Sequence, residues 1–335
     1  MGIEYGVNEG NLVWVRNPFT GTVTYFTEVH RKQSGFRRIA TADADASQPS
    51  ATTAEWMLEE ARRCPFCPGN ERACADEVLR VRRSEVWRDG VADSWLIRAV
   101  RNIVPRVPEV CTGGKNESYV VIEDPRHFAD PGDEPILFHS SLLEERQFAA
   151  LLDAELDVAR RAYANPAVRS VLIRKNQGRQ SGASQPHVHS QVIGADRDFP
   201  AVAAEQVATA ANPGLWEDIV EFVRRHGYMI REGDGCFAYF CPFGVFPRSY
   251  DVVSLRDRAR MVDVPDANWR EFVSMLYGIL QLLGDIPLDY EIHDGPGIPL
   301  HAHVNTRHFP FSSVGGTLNL PTTLAEDPRL AQVLR

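Results

Sequence analysis

Cys64-Pro65-Phe66-Cys67-Pro68-Gly69-Asn70 carries two thiols three residues apart on a turn. Two such sulfurs can face one metal ion, and zinc takes four ligands of this kind in a tetrahedron. The same spacing also fits a redox pair or a plain turn. A second segment, Gly182-Ala183-Ser184-Gln185-Pro186-His187-Val188-His189-Ser190-Gln191-Val192, follows small loop residues with alternating polar ones. Alternate residues of a strand share a face, so His187, His189 and Gln191 project together while Val188 and Val192 point away. A neutral imidazole can attack phosphorus, and an amide N–H beside it can hold a phosphoryl oxygen. Two incidental strand histidines would have the same spacing. A third cluster, His293, His301 and His303, combines a second His-x-His with a histidine just upstream across Asp294-Gly295-Pro296-Gly297.

The elements that must position these groups read as mixed α and β. Leu12–Arg16 and Thr22–Thr27 are strand-like around the turn Asn17-Pro18-Phe19-Thr20-Gly21. Thr41–Thr53 has almost nothing to bury and reads as a surface loop. Strand-like runs follow near Leu96–Val104 and Tyr119–Glu123. Ser141-Leu142-Leu143-Glu144 reads as a capping box opening a helix to about Tyr163, followed by strands at Val168–Arg174 and His187–Ile193. The second half repeats this order. Trp216–His226 is helix-like with Gly227 as its cap. Strands fit Tyr228–Glu232, Phe237–Phe240 and Asp251–Leu255, a helix runs from Asp266 to about Leu283, and a strand covers Leu288–His293 before His301-Ala302-His303. Both halves thus run helix, strand, His-x-His, and the natural reading is a duplicated α+β fold: 1–199 with the Cys-x-x-Cys and the first His pair, 200–335 with the second.

Composition narrows the function. The 335 residues hold 36 Lys and Arg against 45 Asp and Glu, a formal charge of −9. That balance speaks against a broad basic face for nucleic acid, while small anions remain accessible to a few local cations. No apolar run is long enough for a membrane span, and the N-terminal residues carry no basic-then-apolar leader. Six cysteines in this length do not make a disulfide scaffold, so a reducing cytosol is expected.

Ser184–Gln191 resembles the active-site segment of the galactose-1-phosphate uridylyltransferases of the histidine-triad superfamily, with His-Val-His-Ser-Gln where that family has His-Pro-His-x-Gln. CPFCPGN resembles the family's zinc loop. Asn17–Gly21 with Val29-His30-Arg31, the stretch around Asn102 and Pro105, Asp124-Pro125-Arg126-His127 and Asn176-x-Gly178 follow in the family's order. The resemblance implies a structural Zn2+ on Cys64, Cys67, His127 and His187, and His189 as the nucleophile that takes a nucleotidyl group. It implies Gln191 as the amide on the phosphoryl oxygen. Arg31, Asn102, Asn176, Gly178 and Ser184 are implied on the substrate, although the family's second arginine falls near Ser34. It further implies a second divalent metal, iron or zinc, on His293, His301, His303 and the glutamate 14 residues past Gln191, which is Glu205. A homodimer is implied by the resemblance alone.

One segment departs from the family. Where its sugar-contacting Lys-Phe-x-Val-Gly-Tyr-Glu is due, the chain has Gly315-Gly316-Thr317-Leu318-Asn319-Leu320-Pro321-Thr322, and Asn305-Thr306-Arg307 replaces Tyr-Pro-Pro. A site built to hydrogen-bond one sugar rejects others, so galactose-1-phosphate is not the expected acceptor. The expectation is a nucleotidyltransferase with a small nucleotide donor and a phosphorylated acceptor. Its alternatives are a phosphorylase or hydrolase of nucleotide sugars or dinucleoside polyphosphates, and a silent metal-stabilised binding protein. His30, His139, His226 and His308 are read as surface or packing residues, Cys74 and Cys111 as unpatterned. Cys236 and Cys241 are read as structural.

Overall fold

The computed structural model of the chain describes residues 2–8, 11–25, 58–59, 61–87, 93–105, 117–130, 135–244 and 249–307. Arg31, His30, Cys111, His308, the 41–53 loop and the 315–322 segment lie outside the described residues. Three strands near the N-terminus, β1 (Tyr5–Asn8), β2 (Asn11–Arg16) and β3 (Val23–Tyr25), form a small sheet. The main sheet has ten strands: β4 (Glu77–Arg82), β5 (Trp95–Arg101), β6 (Ser118–Ile122), β9 (Ser170–Gln177), β10 (His189–Ala195), β11 (Met229–Glu232), β12 (Cys236–Phe240), β13 (Ser249–Ser254), β14 (Leu288–His293) and β15 (Leu300–Thr306). The short β7 (Phe128–Asp130) and β8 (Ile136–Leu137) pair apart from it.

The strand order is β4-β5-β6-β10-β9-β14-β15-β13-β12-β11. Read outward from the centre, each half has the same plan, with its His-x-His strand second from the seam. The sequence pattern favours two mainly antiparallel sheets; β9 and β14 instead pair antiparallel, from Leu288↔Gln177 to Ile292↔Ile173, and fuse the halves into one. Gln177 strengthens the seam, its Nε2 donating to the carbonyls of Gly284 and Ile286 at 3.2 and 3.1 Å.

Two long helices, α1 (Glu145–Tyr163) and α4 (Asp266–Leu283), cover one face of this sheet, while α2 (Pro200–Ala211) and α3 (Leu215–Arg225) connect the halves. Phe148, Leu151, Leu152 and Ala159 of α1 recur at helical spacing and are buried, as are Trp269, Phe272, Leu276 and Ile279 of α4. They meet Ile173, Val188 and Val192 from the sheet in one core. The expected capping box does not form: Ser140–Leu142 makes a single 3₁₀ turn and α1 starts at Glu145. Ser141 Oγ bonds His139 Nδ1 at 2.6 Å instead of capping, and Leu143 turns into the core. Gly227 has φ +76° after α3, as a helix stop of this kind requires. Among the described residues no helix is long and apolar enough to cross a membrane.

Candidate active site and metal centres

β10 is the strand on which the first site is built. Val188 and Val192 enter the core beneath the helices, and Ser190 Oγ donates to Glu155 of α1. His187, His189 and Gln191 therefore emerge on the opposite face, as strand alternation requires. His187 lies just before the first residue of β10.

Four side chains converge beside it. The ligand-capable atoms of Cys64, Cys67, His127 and His187 all lie within 4.8 Å of one another. Cys67 Sγ is 3.3 Å from His127 Nδ1 and 3.4 Å from His187 Nδ1, and Cys64 Sγ is 3.7 Å from His187 Nδ1. The two Nδ1 atoms are 3.2 Å apart. Bonds of about 2.3 Å to sulfur and 2.0–2.1 Å to nitrogen place tetrahedral zinc ligands roughly 3.3–3.8 Å apart, so the set fits. His187 Nε2 faces the Asp124 carbonyl at 2.8 Å. A carbonyl only accepts, so Nε2 carries the proton and Nδ1 is bare toward the cluster. The hydrogen bond from Cys67 pulls the Cys64 thiol below its ordinary value against burial, with His127 and His187 acting the same way. That favours the thiolate a metal binds.

The loops delivering these ligands are locked locally. Cys67 N donates to the Cys64 carbonyl at 3.2 Å, Asn70 Nδ2 to the same carbonyl at 2.9 Å, and Gly69 adopts φ +93°. Asp124 accepts from Arg126 N and Nε, both at 2.8 Å, and from Gln147 Nε2 at 2.7 Å, fixing the turn that presents His127. Cys74 Sγ donates to the Pro65 carbonyl at 3.0 Å.

His189 is 6 % exposed, and its Nδ1 faces the His187 carbonyl at 2.8 Å. By the same argument Nδ1 is protonated and Nε2 holds a free lone pair. Burial pushes its pKa down to about 4, so the ring is neutral at neutral pH. Phe66 packs on it with ring centroids 5.4 Å apart. Gln191 makes no hydrogen bond with the described residues, and its Oε1 is buried. Asn176, beside His189 in the sheet register, donates from Nδ2 to the Ser181 carbonyl at 2.5 Å and latches the loop before β10. Gly178 starts that loop at φ +79°, where a side chain would also meet Pro287 at 3.1 Å. Ser184 is exposed in the loop. Asn102 is not brought to His189: its N donates to the Ser118 carbonyl, and Ser118 pairs with Ile193. That is four positions along β10, on the order of 13 Å at the strand rise.

Beneath the strand lies a buried network that sequence reasoning missed. Lys175 Nζ is 2.5 Å from Glu123 Oε1 and donates to the His189 carbonyl at 3.3 Å. Ser140 Oγ donates to Glu123 at 2.5 Å. Burial raises Glu155, near Glu123 and Lys175, to about 8. Alternation would have marked Lys175 as inward-facing, but not what it meets.

The second cluster sits on β14, β15 and α2. Glu205 Oε1 is 3.1 Å from His293 Nδ1 and 3.3 Å from His303 Nε2, and its Oε2 is 3.3 Å from His301 Nε2. All four lie within the 4.8 Å criterion. Outward nitrogens are held: His301 Nδ1 by the Pro299 carbonyl at 2.8 Å, His303 Nδ1 by Asp251 at 2.7 Å, and His293 Nε2 by Glu291 at 3.5 Å. Burial pushes His301 below its ordinary range, toward the neutral form. Its Nε2 and the Glu205 carboxylate then face each other as two acceptors, which a shared cation reconciles. Burial pushes Glu205 up, but His301 and His293 outweigh it and hold the carboxylate well below its usual range. Asp251 and Glu291 escaped sequence reading, since neither belongs to a spaced motif.

No profile of a known protein family matches the chain. A curated ADP-glucose phosphorylase of Arabidopsis thaliana is 25% identical over 258 residues, 70% of this chain and 67% of that protein. The structure of an Arabidopsis thaliana ADP-glucose phosphorylase with bound ADP-glucose superposes with TM-score 0.66 at 17% identity, covering 96% of this chain and 97% of that one. A GalT-like protein of Arabidopsis thaliana gives 0.60 at 19%, covering 82% and 92%. A uridylyltransferase gives 0.55 at 19%, covering 77% and 92%. These likenesses show that the chain shares the fold of these proteins.

Proposed function

We propose that the chain is a nucleotidyltransferase acting through a covalent nucleotidyl-histidine. The observation that carries this reading is the bare Nε2 of the buried His189, beside the amide of Gln191, which makes no hydrogen bond with the described residues. The Nε2 lone pair forms a bond to the α-phosphorus of a nucleotide-sugar-type donor as the bridging P–O bond breaks. The electron pair leaves with the bridging oxygen on the departing phosphorylated fragment. A phosphate oxygen of the acceptor then displaces the histidine and regenerates it. Splitting one displacement into two is the gain from covalent catalysis. Gln191 steadies the phosphoryl oxygens, Asn176 and Gly178 hold the loop that carries Ser184, and Arg31 completes the donor contacts near His189.

In the same reading Cys64, Cys67, His127 and His187 hold Zn2+, and Glu205, His293, His301 and His303 hold iron or zinc. These metals supply cross-links that fix the strands. The chain divides into halves 1–199 and 200–335, works in the cytosol and pairs as a homodimer.

Orthophosphate as acceptor is the second reading. The curated ADP-glucose phosphorylase supports it, as does the absence of the sugar-contacting segment from the sequence. Incubation with ADP-glucose or UDP-glucose, alone, with orthophosphate and with hexose 1-phosphates, separates the cases. A product formed only with a hexose 1-phosphate supports transfer between sugars, and a nucleoside diphosphate formed only with orthophosphate supports phosphorolysis. A nucleoside monophosphate formed with neither acceptor makes the protein a hydrolase.

A further inference from the structure

We infer that Arg174 is a phosphate-binding residue that holds the departing, phosphate-bearing fragment of the donor. This rests on the reading of His189 as nucleophile.

The sheet register places it. Arg174 of β9 is the direct partner of Gln191 on one side and of Glu291 on the other. Directly opposed residues of antiparallel strands share a face, so the Arg174 side chain stands on the His189–Gln191 face. Its Nη2 donates to Asn176 Oδ1 at 2.6 Å, and Asn176 stands opposite His189 by the same register. The guanidinium thus extends along the strand toward the nucleophile.

Its partners leave it available. Arg174 is half-buried; its charge is felt by Glu291 across the strands, but the nearest contact of the Glu291 carboxylate is His293 Nε2 at 3.5 Å, and among the described residues no ion pair joins Arg174 to a carboxylate. The single hydrogen bond to Asn176 leaves most of its five N–H donors uncommitted. Nearby cations differ in this respect: Arg126 is paired with Asp124, Lys175 with Glu123 on the other face, and Arg307 with Asp289.

The two flanks of His189 also differ. Toward β6 and β5 its face holds Ile122, Val120, Val100 and Phe66, an apolar cluster. The cation there, Arg98, is buried against Glu77. Toward β14 the face holds Arg174 and Asn176, with Glu291 and Asp289 opposite them; Glu291 is turned to His293 and Asp289 to Arg307. Among the described residues, a nucleoside diphosphate donor whose α-phosphorus sits at His189 therefore finds its anion-binding group on the β9–β14 flank. Arg174 meets the second phosphate there, in the forked geometry that suits guanidinium. As the P–O bond breaks, the charge that accumulates on this fragment falls beside Arg174.

The test compares two donors with the metal-loaded full chain. ADP-glucose expels a phosphorylated fragment; adenosine 5′-phosphorimidazolide expels imidazole, which carries no phosphate. Both leave the same adenylyl group on His189, read by intact mass. Arg174→Ala is expected to slow labelling by ADP-glucose about 10- to 100-fold, the range of a lost charge-assisted hydrogen bond. Labelling by the imidazolide should stay within about twofold, and Arg174→Lys should recover part of the loss. A displaced nucleophile or a misfolded variant would slow both donors equally. Equal loss with both, or no loss with either, overturns the proposal. Calorimetric binding of pyrophosphate is the arm that does not need labelling. If the wild-type chain binds it about 10-fold or more tighter than Arg174→Ala, the anion site stands even where wild-type labelling fails and the reading of His189 falls. Equal or absent pyrophosphate binding in both proteins counts against Arg174.

Discussion

Lys175→Met is the sharpest perturbation of the scaffold under His189. Methionine keeps the length of the side chain and removes the charge paired with Glu123; both residues are at most 1 % exposed. Breaking a buried pair by removing one partner typically costs about 3–5 kcal/mol. The escape for the stranded carboxylate is to take up a proton. Holding a glutamic acid neutral costs about 1.4 kcal/mol for each pH unit above an ordinary value of about 4.3. The deficit is therefore about 4 kcal/mol at pH 7.5 and about 1.6 kcal/mol at pH 5.5. Glu155, raised to about 8 by burial, is neutral in both proteins over this range and cancels from the comparison. Equilibrium denaturation of the zinc-saturated proteins, followed by the fluorescence of buried Trp216 and Trp269, measures the difference at each pH. Lys175→Met/Glu123→Gln removes both charges and should recover most of the loss. Equal deficits at both pH values, without recovery in the double variant, would refute the reasoning.

Three further outcomes follow from the site. Asp251→Ala frees the Nδ1 of His303 and should weaken metal binding at the second cluster about 10- to 100-fold, read by competition with a chelator. Neutral Glu155 contributes stability that is full below its unfolded value and is lost as pH rises through about 8. The stability of the wild-type protein relative to Glu155→Gln should thus fall between pH 5 and 9, and a flat difference would count against the burial argument. Gly178→Ala forces a side chain into φ +79° against Pro287; about 1–3 kcal/mol of strain is expected, read as a lower denaturation midpoint.

Much of this arrangement was legible in the residues because it follows short-range rules. Strand alternation placed His187, His189 and Gln191 on one face, and the helix-start signals at Ser141–Glu144 and Asp266 located α1 and α4 to within a few positions. Two spaced thiols opened the metal question, and the ordered resemblance named the remaining ligands. The illegible parts depend on pairing between distant segments. Nothing local says that β9 meets β14, so the single sheet, the Gln191–Arg174–Glu291–His303–Asp251 row and the seam at Gln177 emerge only in three dimensions. The Ser141 capping box failed for a local reason instead: its hydroxyl bonds His139, two residues away. Asn102 is in the expected stretch but its hydrogen bonds tie it to Ser118, away from His189.

The central claim is that Nε2 of His189 becomes covalently nucleotidylated. Intact mass spectrometry of the metal-loaded protein after brief exposure to ADP-glucose or UDP-glucose tests it directly. The expected result is a gain of one nucleotidyl group, a nucleoside monophosphate less water, mapped to the peptide containing His189, reversed by a phosphate acceptor and absent from a folded His189→Ala variant. Labelling that persists in His189→Ala, or turnover of either donor by the wild-type protein with no adduct on His189 under single-turnover conditions, would contradict it.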